Sequence, residues 1–308
     1  MGSLENLPDL TVVAIPLYVL TMALEIFLHW RRPKEGQQGY EVRDTATSLA
    51  MGVGSLVVAA IFAAIQLAFL SFFSRFAVID LGALLTGPNL AVALAAWAVL
   101  FIGTDFCYYW FHRVHHESRF FWAAHVTHHS SRHYNLSTAL RQSWTPMTGW
   151  VFYVPLMLVG FTPAQWAFAY SLNLIYQYWI HTERIDRLPR WVEYVFNTPS
   201  HHRVHHGSNS QYLDSNYGGI LIIWDRMFRS FVPEQDAVTY GLTKNISTYN
   251  PLRVAYHEFG AIGRDVWRAQ TWRDRWRYAF ASPGWSGSVD VPVAGSDESA
   301  VAAVSEGR

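Results

Sequence analysis

Twelve of the chain's 14 histidines fall between residues 112 and 206. Nine of them form three runs with one spacing. His112, His115 and His116 lie in HRVHH, His125, His128 and His129 in HVTHH, and His202, His205 and His206 in HHRVHH. Positions i, i+3 and i+4 share a face of a helix, so each run aims two or three imidazoles in one direction. A lone histidine is usually an ordinary polar helix residue, but that does not account for three matched runs. Imidazole is the commonest metal-binding side chain, and in its neutral form it suits zinc, copper, iron and nickel. His181, ending the last apolar stretch, and His201, flanking the third run, extend the set. A structural zinc takes about four ligands and a catalytic one about three. Nine or ten histidines are too many for one ion and suit two ions with five or six ligands each. A ligand set without cysteine argues against iron–sulfur and structural zinc sites. The Glu-x-x-His pairs of soluble di-iron bundles are absent from the histidine-rich segments.

Polar neighbours are read as supports. Asp105 sits seven residues, two turns, before His112 and faces the same side. A carboxylate there could accept a ligand's free ring N–H and fix its tautomer. Glu183, Asp214 and Asn216 are weaker versions of the same idea. Glu25 and His29 read as a pair marking a membrane boundary, and His133 and His257 as non-ligands.

The elements that hold these residues are apolar. The chain has 308 residues, 51% hydrophobic and 15% charged, against roughly 25% charged in soluble domains. Its formal net charge is zero, so no basic field attracts nucleic acid. One cysteine, Cys107, excludes a disulfide framework within the chain. Apolar runs at 11–29, 49–70 and 90–111 approach or exceed the ~20 residues that cross a bilayer. Residues 146–180 carry no charge and are too long for one crossing; GFTP at 160–163 divides them into 147–159 and 164–180. An even number of crossings there leaves all three histidine runs on one face of the bilayer. The segments after the first and third runs are rich in arginine, which makes that face cytoplasmic. The first apolar run reads as retained rather than as a cleaved signal peptide. The expected fold is an all-α, multi-pass integral membrane protein: four to five membrane-embedded helices and a cytoplasmic helical cap holding a dimetal site. Residues 1–281 form one domain, and 282–308, rich in Ser, Gly and Ala, read as a disordered tail.

DFCYYWFHRVHH, HVTHHSSRHYNLSTALRQS, YQYWIHTE and NTPSHHRVHHGSN, followed by YLDSNYGGILIIWDRMF, occur in an order and spacing that resemble the fatty acid hydroxylase superfamily, which includes sterol desaturases. The second and third of these segments are most similar to its alkylglycerol monooxygenase branch. The resemblance implies a membrane enzyme with two non-haem irons that turns O2 against a lipid C–H bond. By position it implies His112, His116, His125, His128, His129, His181, His202, His205 and His206 as ligands at the catalytic metals, with His201 completing the set. His115 is an extra, and Gln177 stands where some relatives carry another histidine. Electrons must come from a separate donor, since no haem, flavin or iron–sulfur signature is present. The monooxygenase branch points to a reduced pterin, tetrahydrobiopterin. Two rivals from other classes are a metal transporter and a membrane zinc hydrolase. Transporter sites lie near the bilayer midplane, whereas these histidines sit at or beyond span ends.

Overall fold

A computed structural model describes residues 9–286. Residues 1–8, and all but the first five residues of the tail expected at 282–308, lie outside the described residues. After a single turn at Leu10–Val13 comes α1 (Ile15–Arg31). The run read as one span at 11–29 is therefore broken at Ala14, and Pro16 lies in the first turn of α1. Proline lacks an N–H and crowds the carbonyl four residues back, so the helix restarts where neither matters.

α2 (Val42–Ser74) starts on Glu41, whose carboxylate accepts from the Asp44 N–H, and α3 (Leu90–Glu117) starts on Asn89, whose side chain accepts from two N–H groups. Both are long and apolar enough to cross a membrane. Protein covers only 6% of the most apolar stretch of α2 and 33% of that of α3. Bare Val53, Ile61 and Leu67 on α2, Leu94 and Ile102 on α3, and Leu20 and Leu24 on α1 form a belt. Soluble monomers rarely expose so large a continuous apolar surface.

The uncharged stretch 146–180 is a hairpin with unequal arms. Its first arm is mostly 3₁₀ turns at Pro146–Thr148 and Trp150–Tyr153, then a short helix α5 (Val154–Leu158), instead of the helical piece expected at 147–159. A 3₁₀ turn rises about 2.0 Å per residue against about 1.5 Å for an α-helix, so this arm travels further for its length. The second arm is α6 (Pro163–Trp179), opened by a capping box between Thr162 and Gln165. The expected break at GFTP is present. Gly160 has φ +89, and a Cβ there would strike the Ile79 carbonyl. The tip bonds back to the link between α2 and α3 through Val78 N–H to Leu158 O at 2.9 Å and Gly82 N–H to Gly160 O at 3.2 Å. The hairpin thus runs to the far end of the bundle and returns. Leu70, Leu100, Cys107, Met157, Phe161 and Trp166 pack between α2, α3 and the two arms.

At the near end lie α4 (Arg119–His129), α7 (Arg190–Val195), α8 (Pro199–His205), α9 (Ile223–Met227), α10 (Pro251–Arg268) and α11 (Trp272–Phe280). Among the described residues there is no strand, only two isolated bridges, Phe196 with Leu221 and Gly207 with Tyr240.

Candidate metal centre

The last turns of α3 carry His112 and His116. α4 carries His125, His128 and His129, the turn after α6 carries His181, and α8 with its cap carries His202, His205 and His206. These nine histidines form two groups. His112, His116, His125, His129 and His205 make one, and His128, His181, His202 and His206 the other; within each, one ring nitrogen per residue lies within 4.8 Å of all the others. The groups abut, with His129 and His206 stacked at 4.3 Å between ring centroids. The second and third runs each divide. In α4 the outer pair, His125 and His129, joins the first group and His128 the second. In α8 the outer pair, His202 and His206, joins the second group and His205 the first.

Tautomers follow from backbone carbonyls, which can only accept. His112 Nδ1–H donates to Tyr217 O at 2.8 Å, His181 Nδ1–H to Gln177 O at 2.7 Å, His205 Nδ1–H to Ser215 O at 2.9 Å and His128 Nδ1–H to Arg141 O at 3.4 Å. The Nε2 of each neutral ring is then a bare lone pair. Yet His181 Nε2 stands 3.1 Å from His128 Nε2, and His202 Nε2 3.0 Å from His181 Nε2. In the other group His125 Nε2 lies 2.9 Å from His112 Nε2 and 3.2 Å from His129 Nε2. The lone pairs of His128 and His181 face each other with no proton to share, an arrangement a cation between them would resolve. Two nitrogens about 2.1 Å from one ion stand about 3.0 Å apart at a right angle and about 3.4 Å apart at a tetrahedral angle. The separations match the first value. His116, His205 and His206 Nε2 are buried without any hydrogen-bond partner, as ligand atoms would be. The donor set fits two first-row ions.

Electrostatics agree with neutral ligands. Burial pushes the imidazoles of His125, His128, His129, His202 and His206 well below their ordinary value. It lowers His181 to about 3 and His205 to about 4. A neutral ring is the form that binds a metal.

One expected residue is placed elsewhere. His201 does not join the others: its Nε2 lies 2.9 Å from Glu193 Oε2. One residue along a helix turns the side chain about 100° from its neighbour, so His201 faces away from His202. His115 donates through Nδ1 to Phe111 O at 2.7 Å and meets Thr148 through Nε2. His133 and His257 lie outside both groups. Gln177 donates to Asn173 with its side chain, and its backbone carbonyl accepts from His181.

Asp105 touches no imidazole, contrary to expectation. It accepts from Asn173 Nδ2 at 2.7 Å, Ile220 N–H at 2.7 Å, Leu221 N–H at 3.1 Å and Trp224 Nε1–H at 2.8 Å. It therefore clamps the loop whose Tyr217 carbonyl orients His112. Glu183 accepts from Gln38 N–H, and Asn216 bonds His201 O and Val232, so neither holds a ligand ring. Asp214 comes nearest to the expected role, with Oδ1 3.9 Å from His116 Nδ1, beyond hydrogen-bond reach. Glu25 and His29 form no pair. Glu25 is buried and gathers Tyr40, Thr182 and the Leu136 N–H, tying α1 to the turn that carries His181.

Two supports escaped the sequence reading. Arg141, 1% exposed, pairs with Asp44 at 2.6 Å and also bonds Ser48 and Ser130, while its carbonyl takes the His128 proton. Arg203, inside the third run, pairs with Glu234 at 2.7 Å and donates to Thr182 O and Ile185 O, lashing α8 to the His181 turn. The available signal was uneven: Arg203 lies inside the third run, but Arg141 stands 12 residues beyond the second.

Residues 97–230 match the fatty acid hydroxylase family model. Over 285 residues the chain is 40% identical to the alkylglycerol monooxygenases of Homo sapiens and of Xenopus tropicalis. With that of Danio rerio it is 38% identical over 287 residues. These alignments take in 92% of this chain but 61%, 61% and 62% of the relatives, so the chain spans about three-fifths of their length. No solved structure matches.

Proposed function

Because residues 97–230 match the fatty acid hydroxylase family model, we propose that the chain is a membrane-bound, histidine-ligated di-iron oxygenase that hydroxylates a lipid with O2 and electrons from a separate donor. The observation that carries this reading is the pair of buried imidazole groups whose bare Nε2 atoms face one another at about 3 Å. His112, His116, His125, His129 and His205 would hold one iron, and His128, His181, His202 and His206 the other. Iron so held supplies the one-electron chemistry that lets O2 attack an unactivated C–H bond.

The chain's own residues do the positioning. Carbonyls of Tyr217, Gln177, Ser215 and Arg141 hold one ring proton each and turn the opposite nitrogens inward. Burial keeps the rings neutral and water away. Four and five protein ligands leave positions open on ions that take six. The uncharged hairpin and α3 lead from the apolar belt to the histidines, which suits a lipid substrate entering from the bilayer. The arginines after α1 and α3 support a multi-pass insertion with the histidines on the cytoplasmic side.

A narrower reading is favoured by the 40% identity over 92% of the chain to proteins named alkylglycerol monooxygenase. The substrate would then be a glycerol ether lipid and the reductant a reduced pterin. Hydroxylation of the carbon beside the ether oxygen gives a hemiacetal, which falls apart to an aldehyde and a free glycerol hydroxyl. Desaturation would share the hydrogen abstraction and differ in the fate of the carbon radical.

Lipid profiling by mass spectrometry under 18O2, with and without expression, tests the proposal together with metal analysis of purified protein. Two irons per chain and 18O in a lipid alcohol or aldehyde are expected. One metal or none, or turnover that persists without O2 and reductant as a zinc hydrolase would show, overturns it.

A further inference from the structure

The two C-terminal helices carry the same pattern, and the metal centre uses none of it. On α10, Leu252, Tyr256, Gly263 and Trp267 recur at i, i+4, i+11 and i+15, one stripe at about 100° per residue, and all are exposed. On α11, Trp272, Trp276 and Phe280 recur at i, i+4 and i+8 and are exposed as well. Trp267, Trp272 and Trp276 are 86%, 82% and 67% exposed. Buried cores do not account for them. Next to each stripe, on the same side of it, runs a line of arginines: Arg253, Arg264 and Arg268 on α10, and Arg273 and Arg277 on α11. The acids nearby are already taken. Glu258 and Asp265 pair with Arg119 at 2.7 and 2.8 Å, and Asp274 bonds the Thr271 cap. Among the described residues, the exposed face is therefore tryptophan bordered by guanidinium groups that no carboxylate pairs.

Its height in the fold is fixed independently. Val254 and Ala255, in the first turn of α10, pack on Met51 of α2. Leu49 and Val53, on either side of Met51, are exposed apolar positions of α2 at the near edge of the belt. The α10 stripe thus starts at the level where the belt gives way to the polar cap. Tryptophan is enriched at that level in membrane proteins, and helices with an apolar stripe beside a basic one lie in the interface, attracted by anionic headgroups.

We propose that α10 and α11 form an in-plane anchor that seats Trp267, Trp272 and Trp276 at the headgroup–acyl boundary of an anionic phospholipid leaflet, with the flanking arginines on lipid phosphates. The proposal rests on the membrane reading above and not on the metal chemistry. The anchor is joined to the second histidine run: Arg119 at the start of α4 holds Glu258 and Asp265 of α10, and Thr127 Oγ1 donates to Val254 O at 3.1 Å. The leaflet surface would then set the height of the histidine site above the lipid.

Nitroxide labels on full-length W267C, W272C, W276C, I61C and D186C variants, each in phosphatidylcholine nanodiscs with and without phosphatidylglycerol, test this; native Cys107 is buried and stays. Ile61 lies bare on α2, and Asp186 is an exposed cap position. The expected result is an O2-to-nickel-complex collision ratio several-fold higher at 267, 272 and 276 than at 186, and deeper label positions when the anionic lipid is present. Labels at those three sites as open to the nickel complex as 186, while 61 is lipid-embedded, overturn the anchor alone. Spin–spin broadening between two copies overturns it in favour of a dimer face. An aqueous label at 61 removes the membrane reading and the anchor with it. Equal depth in both discs overturns the anionic assignment.

Discussion

His128 and His205 serve different groups although each is the middle histidine of its run. Replacing either by alanine is expected to release one ion, leave the other partly bound, and abolish turnover. His133→Ala and His201→Ala should keep both metals and, with a folded protein, most of the activity. Metal counting on purified variants, beside a turnover assay, checks this. Equal losses in all four would break the ligand assignment. The nine grouped histidines were legible because residue type and spacing alone mark them. His201 was misread because adjacency in sequence is a 100° rotation on a helix. Asp105 was misread for a different reason. Its direction along α3 was inferable, but the loop from Tyr217 to Trp224 that fills the space in front of it arrives from more than 110 residues away.

Buried ion pairs help to hold the elements at the near end. Asp44 and Arg141 join the start of α2 to the segment after α4, and both are almost fully buried. Removing one member of such a pair leaves a buried charge uncompensated and costs about 3–5 kcal/mol, whereas replacing both with apolar residues is often near neutral. Arg141→Met is therefore expected to lower the melting temperature sharply, and Asp44→Leu with Arg141→Met to recover much of it. Melting curves in detergent for the two variants decide. The long apolar helices and the GFTP break were legible from composition and from Gly and Pro. The 3₁₀ arm was not, because an uncharged run has the same composition whether its backbone winds as α or 3₁₀.

At the scale of the whole molecule, burying so many neutral imidazoles makes the metal-free protein sensitive to acid. His181 and His205 titrate near 3 and 4 when folded, against about 6.5 in an unfolded chain. Below about pH 6.5 the unfolded state binds more protons than the folded one, so stability rises with pH in that window. Chelated protein in detergent should melt at a progressively lower temperature from pH 7 to pH 4, and added metal should oppose the trend. A flat profile would mean that the rings are not buried as described. A further consequence lies in the way α4 and α8 each divide their histidines between both groups. With two ions bound as proposed, whichever arrives first would freeze the two short helices that its neighbour also needs, so the ordering entropy would be spent once and the next arrival would bind more tightly. Native mass spectra during titration should then pass from empty to doubly loaded chains with the singly loaded species scarce throughout.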